Sequence, residues 1–322
     1  MNETVKTAEE KRISANTVKS VAMKLYPFVA LFIIVVLFSV WSGGRLLAAR
    51  NLKTILTEAF RMILGASALA FVISQGAIDL SYGSAIGLCA AIGAISAKAF
   101  GPPAVFVTLL VGAVIGLVNG FVHAKLHVNA FITTLSMSFM LGGLLDTILG
   151  GGSASVPYSM LNWDSTWLRL ITLIVVVAIG YIVFEYGKLG KRCRAVGSNE
   201  TAARQSGINI ANVKMTDYMI TGVMAGFLAF FSLIRTGTST SGTGDGFEMD
   251  CMLSLFLGGM PITGGTSAKF RAAIIGGLTM TVLTNGMNVV SLDVLVQQFV
   301  RGVIFLAAVA LTFNRKTVAF IK

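Results

Sequence analysis

Apolar segments long enough to cross a bilayer recur along most of this sequence, and they constrain its fold more than any other feature. The first runs from Tyr26 to Gly43, and others follow, separated by short polar turns, as far as residue 312. A helix needs about 20 mostly apolar residues to span the hydrocarbon core. Only 12% of the residues are charged, whereas soluble domains carry about 25%. The sequence therefore predicts an all-α polytopic membrane protein.

The predicted organisation is one transmembrane domain, residues 26–322, after a polar cytoplasmic tail, residues 1–25. At about 20 residues per span plus turns, this length accommodates about ten transmembrane helices, some of them short, re-entrant or broken. The first span follows a long polar lead-in, so we expect it to be retained rather than cleaved as a signal peptide. Residues 44–61 read as an amphipathic stretch at the interface. The remaining spans are predicted at 63–75, 84–97, 104–122, 129–149, 168–186, 215–234, 249–260, 272–290 and 294–312.

The distribution of Lys and Arg predicts the orientation. The net charge of +11 is expected in a membrane protein whose cationic residues collect on the cytoplasmic side, and it is not taken as a sign of nucleic-acid binding. Residues 187–214 carry six Lys and Arg and one acidic residue, Glu200, and form the predicted cytoplasmic loop. With ten crossings, 17 Lys and Arg lie inside and seven outside, four of these within 44–61. Both termini are therefore predicted in the cytoplasm.

Catalytic and metal-binding patterns do not occur in the sequence. The two histidines, His123 and His127, stand at a helix end with no carboxylate or cysteine near them, so we predict no metal site. Three widely spaced cysteines form no C-x-x-C pair and are expected to pack in the interior. No phosphate-binding loop and no nucleophile with a base is present. We therefore expect a non-enzymatic chain without a cofactor of its own.

Small residues predict one close helix contact. Gly112, Gly116 and Gly120 recur every four residues in the fourth span. This small-x-x-x-small spacing places the glycines on one face of a helix, where another helix can approach closely. We expect a tightly packed neighbour there.

A polar break interrupts the apolar pattern at Gly76–Ser84. Irregular backbone at membrane depth persists only where protein or a water-filled cavity surrounds it, so the break is expected to be internal. Asp79 could line or brace a translocation pathway, or it could cap the helix that follows. Other polar residues could line the same route or form hydrogen bonds between helices. These residues are Ser81, Thr133, Thr134, Asn285 and Asn288.

Four stretches carry a family resemblance. Gly76–Ser84 resembles the G-G-I-D-L-S-x-G-S signature of the ribose-type permease subunits of bacterial ABC importers, with Ala77 at the second glycine. Ala195–Asn209 is similar to the cytoplasmic loop of that family, G-x-N-x-x-A-A-x-x-x-G-I-x. Thr201 stands where the E-A-A loops of other importers have alanine. Further matches, within a resemblance covering about residues 50–312, are Leu257–Gly259, Ile262–Gly265 and Thr284–Asn288.

The resemblance implies a type II-like bundle, similar to that of the cobalamin importer, in the bacterial inner membrane. It further implies a second permease subunit, identical or a paralogue, cytoplasmic ATPases that hold ATP and Mg²⁺, and an external binding protein, periplasmic or lipid-anchored. The implied function is the permease for a ribose-like monosaccharide. Branched-chain amino-acid permeases share the later motifs, but the I-D-L-S element favours sugars. Autoinducer-2, nucleosides and branched-chain amino acids remain alternative substrates.

An ion-coupled secondary transporter is the alternative from another class. In that case the glycine-rich breaks near 76–83 and 258–265 would be paired discontinuous helices of a repeat. The two breaks share little residue identity, which speaks against a repeat.

In the resembling family the cytoplasmic loop is a coupling helix that docks on the ATPase. Small residues here, Ala202, Ala203 and Gly207, would let the helix seat closely in a groove. Glu200 and Arg204, four residues apart, would lie at its rim. The alternative is an ordinary surface helix. The full predicted coupling set is Gly197, Asn199, Glu200, Ala202, Ala203, Arg204 and Gly207.

Overall fold

The computed structural model describes residues 25–312, which form a bundle of α-helices. The predicted cytoplasmic tail lies outside the described residues except for Leu25, as do Arg315, Lys316 and Lys322. Two-residue strands, β1 (Ala154–Ser155) and β2 (Thr238–Ser239), pair antiparallel. The helices are α1 (Leu25–Trp41), α2 (Ala49–Ser74), α3 (Tyr82–Phe100), α4 (Ala104–Lys125), α5 (Ala130–Leu149), α6 (Thr166–Tyr181), α7 (Lys188–Ser198), α8 (Glu200–Gln205), α9 (Ile210–Thr236), α10 (Phe247–Leu257), α11 (Arg271–Val289) and α12 (Val294–Thr312).

Ten of these helices are apolar, in agreement with the predicted all-α polytopic fold. Within the described range, seven are long and apolar enough to cross a membrane: α2, α3, α4, α5, α6 with its π-helical continuation Ile182–Tyr186, α9 and α11. The apolar parts of α1 and α12 are shorter, and α10 has only 11 residues. The short eighth apolar piece predicted at 249–260 corresponds to α10.

Residues 44–61 differ from the prediction. Instead of an interfacial stretch before a short span, α2 is one helix of 26 residues that begins at Ala49. The sequence 49–64 contains no Gly or Pro that would interrupt it. Arg50 and Lys53 lie on its exposed side, while Ala59 and Phe60 are already buried. Arg50, Lys53 and Arg61 thus belong to a spanning helix, whereas Arg45 lies in the short 3-10 helix Arg45–Leu47 that precedes it.

The bundle has a buried centre and apolar outer helices. In the apolar 18-residue stretch of α2, 72% of the residues are buried, compared with 6% in the corresponding stretch of α6. Exposed apolar side chains such as Ile174 and Phe299 cover α6 and α12. Two ends can be distinguished: the α7–α8 end, with the end of α2 at Ser74 and the α10–α11 loop, and the ribbon end, with β1 and β2.

Helices α4 and α9 pack through glycine, as the small-residue spacing predicts. A Cβ atom on Gly116 would clash with the carbonyl oxygen of Tyr218, and one on Gly112 with that of Gly222. The α9 side is also glycine, since a Cβ on Gly226 would clash with the carbonyl of Thr108. The backbones therefore approach as closely as small residues allow. This contact holds α9 firmly beside the break between α2 and α3.

Candidate functional site

The break between α2 and α3 is built around a buried carboxylate. Asp79 is 3% exposed, and one of its oxygens accepts hydrogen bonds from the Ser81 backbone N–H at 3.0 Å and the Ser81 hydroxyl at 2.7 Å. The other oxygen accepts a hydrogen bond of 3.1 Å from the hydroxyl of Thr221 on α9. Ser81 precedes the first residue of α3. Asp79 therefore organises the entry to α3 and braces it against α9.

Neighbouring helices hold the backbone of the same break. The hydroxyl of Tyr218 donates a hydrogen bond of 3.1 Å to the carbonyl of Ile78, and the hydroxyl of Thr134 lies 3.4 Å from the same oxygen. Asn119 on α4 donates to Ser81 Oγ at 2.7 Å. Helices α4, α5 and α9 thus surround the break, which is internal as predicted.

The six predicted pathway residues do not form one group. Asp79, Ser81 and Thr134 belong to the network just described. Thr133 is also buried, and its hydroxyl has no hydrogen-bond partner within residues 25–312. Asn285, by contrast, accepts a hydrogen bond of 2.8 Å from Asn51, which joins α11 to α2. Asn288 accepts one of 2.9 Å from Gln297, which joins α11 to α12. For these two asparagines the contacts are those of helix-to-helix hydrogen bonds. A pathway role for the six residues stays a prediction.

The predicted cytoplasmic loop 187–214 is helical, and its central element, α8, has defined caps at both ends. Asn199 accepts a hydrogen bond of 3.0 Å from the backbone N–H of Ala202, as an N-cap residue does. At the other end, Ile208 N–H bonds to the carbonyl of Ala203 at 3.1 Å, and Gly207 N–H to that of Arg204 at 3.0 Å. This is a Schellman motif, and Gly207 has the positive φ of 79° that it requires. Gly207 therefore ends the helix.

Members of the predicted coupling set face in two directions. Asn199, Glu200, Ala202 and Arg204 are exposed, and Glu200 pairs with Arg204 at 3.4 Å and Lys214 at 3.1 Å. Ala203 is 4% exposed and faces the chain itself. The structure also turns Gly197 inward, because a Cβ there would clash with the carbonyl oxygen of Ser74. Whether the exposed members contact an ATPase stays a prediction.

Helix α7 is tied to the ends of the membrane helices. Glu185, at the end of α6, accepts hydrogen bonds from Arg194 at 2.8 Å and from Phe270 N–H at 2.9 Å. Ser198 Oγ accepts one of 3.0 Å from Thr266 N–H. The α10–α11 loop also pairs with α2, since Gly265 N–H bonds to the carbonyl of Ser74 at 2.9 Å. These contacts join α7, α2, α6 and the α10–α11 loop into one unit, which we call the α7 block.

Cysteine and histidine side chains in the described region bond to the protein itself. Cys193 on α7 lies 3.1 Å from an oxygen of Asp217, and burial, together with that carboxylate, raises the pKa of its thiol. His123 bonds to the carbonyl of Val128 at 2.8 Å. Between residues 25 and 312, no group of three or more His, Cys, Asp or Glu side chains could hold a metal ion.

Charged side chains inside the apolar helices were not recognised as a site from the sequence. Arg301 on α12 binds Asp250 on α10 at 3.2 Å. Arg61 on α2 places its guanidinium 5.0 Å from the centre of the Phe247 ring. Arg61 and Asp250 also line a cavity of about 330 Å³. The sequence signal that could have identified this site is the presence of charged residues within apolar segments. Such residues usually face a polar partner or a cavity.

Comparison with known proteins gives consistent matches over most of the chain. The family model for the permease component of branched-chain amino acid transport systems matches residues 51–309. The ribose import permease protein RbsC of Escherichia coli K12 is 30% identical over 92% of this chain and 96% of its own length. The xylose transport system permease protein XylH of the same strain is 26% identical over 90% of this chain and 92% of its own length. The galactose/methyl galactoside import permease protein MglC of Treponema pallidum is 29% identical over 89% of this chain and 61% of its own length. No solved structure matches.

Proposed function

The chain belongs to the family of branched-chain amino acid transport system permease components, and we propose that it is the membrane permease subunit of an ATP-driven importer for a ribose-like monosaccharide. The observation that carries this proposal is the match to a ribose import permease along 92% of the chain. The many apolar helices agree with a multi-pass protein. The bacterial inner membrane is the location that such an importer requires.

Sugars are the substrate class that the relatives favour. The printed names of the three relatives refer to ribose, xylose and galactose or methyl galactoside, although the family description refers to branched-chain amino acids. Ribose is our proposal because the ribose permease has the highest identity of the three, at 30%. An external binding protein would deliver the sugar, and a second permease subunit would complete the pathway. The exposed apolar faces of α6 and α12 leave surface for lipid and for such a subunit.

ATP hydrolysis would occur on a separate chain that docks on α8. Helix α8 is short, capped at both ends and exposed. These properties suit a rigid helix that inserts into a groove of a partner protein. Asn199, Glu200, Ala202 and Arg204 offer the contact surface. Gly197 and Ala203 would act indirectly, because Gly197 packs on the end of α2 and Ala203 is buried against the chain itself.

Movement of α8 would reach the membrane through the α7 block. Through Ser198 and Glu185 the block holds the α10–α11 loop, and through Gly197 it rests on the end of α2. A displacement of α8 by the ATPase would therefore tilt α2, α6 and α10 together rather than deform one loop. Because the break at Asp79 follows α2 directly, it would move with this group and change the access of the pathway.

The proposed orientation places the α7–α8 end in the cytoplasm. Six Lys and Arg lie within 187–214, against one acidic residue, and cytoplasmic loops are enriched in cations. The ribbon end would face outward, where a binding protein could deliver the sugar. With ten crossings both termini are cytoplasmic.

The test is uptake of radiolabelled D-ribose into right-side-out vesicles that contain this chain together with an ATPase and a binding protein of a ribose importer. We expect uptake to require ATP inside the vesicles. Unlabelled D-ribose should inhibit this uptake more strongly than D-xylose, D-galactose or L-leucine does. Uptake that follows an ion gradient in vesicles lacking the ATPase would instead identify a secondary transporter. Competition by L-leucine alone would contradict the sugar assignment.

A further inference from the structure

The coupling mechanism does not use a cavity that lies at the ribbon end. It has a volume of about 330 Å³, within the range of about 300–1,000 Å³ for small-molecule sites. Residues from five elements (α2, α3, α9, β2 and α10) and one loop line it, so it lies at a meeting point of the fold rather than on a single surface. These residues include Arg61, Ile86, Leu228, Thr238, Asp245 and Phe247.

Arg61 brings hydrogen-bond donors that no other residue between 25 and 312 uses. Its guanidinium lies over the Phe247 ring, at 5.0 Å from the centre. Among the described residues, Glu58 and Asp250 attract it electrostatically but form no hydrogen bond or ion pair with it. A guanidinium has five N–H donors in a fixed planar arrangement. The cation–π contact holds the guanidinium at the Phe247 ring, and Arg61 is one of the residues that line the cavity.

The same cavity supplies acceptors and hydroxyl groups. Asp245 has a carboxylate without a hydrogen-bond partner among the described residues, whereas Asp250 is paired with Arg301 at 3.2 Å. Apolar walls come from Ile86 and Leu228. The lining also holds five hydroxyl-bearing residues, Ser232, Thr236, Thr238, Thr240 and Thr243.

The charges in this cavity favour a neutral ligand. One guanidinium, that of Arg61, stands against the two carboxylates of Asp245 and Asp250, and Arg301 balances the second carboxylate. Two cations and two anions leave no excess charge to attract a phosphate or a metal ion. Sugar hydroxyls each donate and accept, so they can use the free donors of Arg61 and the free acceptors of Asp245 together. The C–H groups of the ring can pack on the apolar walls.

We infer that this cavity is a binding subsite for a neutral monosaccharide within a single permease subunit, with Arg61 and Asp245 as its hydrogen-bonding pair. The inference rests on the proposed function for the choice of sugar. It places the sugar between α2, α3, α9 and the loop before α10, at the ribbon end. Entry into this subsite would precede passage deeper into the membrane.

Cysteine protection in the full-length chain, reconstituted alone in liposomes, tests the subsite. A maleimide reacts with Thr240→Cys at the cavity wall, and the three native cysteines are buried, which keeps the background low. At a D-ribose concentration about twice the Kd, labelling should slow about threefold, because only the unoccupied fraction reacts. Arg61→Gln combined with Thr240→Cys should lose this protection, and Arg61→Lys should retain part of it.

Ser155→Cys on β1 is the matched control, since Ser155 is exposed but does not line the cavity. Its labelling rate should not change with D-ribose. Absence of protection at Thr240→Cys, protection by inorganic phosphate instead of D-ribose, or unchanged protection in the Arg61→Gln variant would each overturn the subsite. If protection is absent while ATP-dependent ribose uptake is present, the importer function stands and only the subsite fails.

Discussion

Asn119 on α4 donates a hydrogen bond of 2.7 Å to the hydroxyl of Ser81, which in turn donates one of 2.7 Å to Asp79. Both Asn119 and Ser81 are 1% exposed, so no bulk water replaces these bonds. Paired groups in a buried network are stabilising, whereas the side-chain oxygen of Asn119 has no hydrogen-bond partner among the described residues. These two bonds therefore join the break between α2 and α3 to α4.

Asp79→Asn should be tolerated far better than Asp79→Leu. The amide keeps an oxygen for Ser81, and its N–H₂ group can donate to Thr221, whose hydroxyl then donates to the Tyr218 carbonyl at 2.9 Å. Leucine leaves several buried donors unpaired, at about 1–3 kcal/mol each. We expect the free energy of unfolding to fall by about 1 kcal/mol or less for Asp79→Asn and by about 3 kcal/mol or more for Asp79→Leu.

The free energy of unfolding of both Asp79 variants can be measured in detergent by circular dichroism. An equal loss in the two would show that the negative charge, rather than the hydrogen bonds, is what the site requires. Uptake should be measured beside stability. If Asp79→Asn abolishes uptake at an unchanged melting temperature, Asp79 acts in the pathway itself in addition to bracing the break.

Gly116→Ala should loosen the contact between α4 and α9. The added Cβ would clash with the carbonyl oxygen of Tyr218, a backbone atom that cannot move aside without shifting α9. Overpacking of this kind costs about 1–3 kcal/mol. Gly142→Ala on α5 is the control, because nothing lies within 4 Å of its added Cβ, and its melting temperature should stay the same or rise. Similar melting temperatures for the two variants would contradict the packing described here.

Properties carried by local sequence were predictable, and contacts between distant residues were not. Length and apolarity locate the spans, and the four-residue spacing of Gly112, Gly116 and Gly120 predicts a close helix contact. The start of α2 was missed because its cationic residues resemble those of an interfacial helix. The partner of Asn285 is Asn51, 234 residues away, and no sequence pattern identifies such a pair.

The predicted coupling loop also shows that sequence alone does not give the contacts of each residue. Ala202 and Ala203 are adjacent and identical in type, so the motif treats them alike. The structure separates them, because Ala202 is exposed while Ala203 is 4% exposed and packs on the chain itself. Which residue faces outward depends on where α8 begins, and Asn199 sets that point through its capping bond.

Ala202→Arg and Ala203→Arg should therefore fail in different ways. Ala202→Arg places a long charged side chain on the exposed side of α8, so the ATPase should no longer co-purify while the melting temperature of the chain stays unchanged. Ala203→Arg forces a charge into a buried position and should lower the free energy of unfolding by about 2 kcal/mol or more. Affinity purification and thermal unfolding of the same preparations distinguish the two. Full ATPase retention by Ala202→Arg would contradict docking on this side of α8.

Single-cysteine labelling should establish the orientation of the bundle. Ser155 on β1 and Thr201 on α8 are exposed and lie at opposite ends. If cations mark the cytoplasmic side, a membrane-impermeant maleimide added to intact cells labels Ser155→Cys and leaves Thr201→Cys unlabelled until the cells are opened. Native cysteines contribute little, because all three are buried and burial raises the pKa of Cys193, which keeps its thiol protonated. Labelling of Thr201→Cys but not of Ser155→Cys in intact cells would reverse the proposed topology.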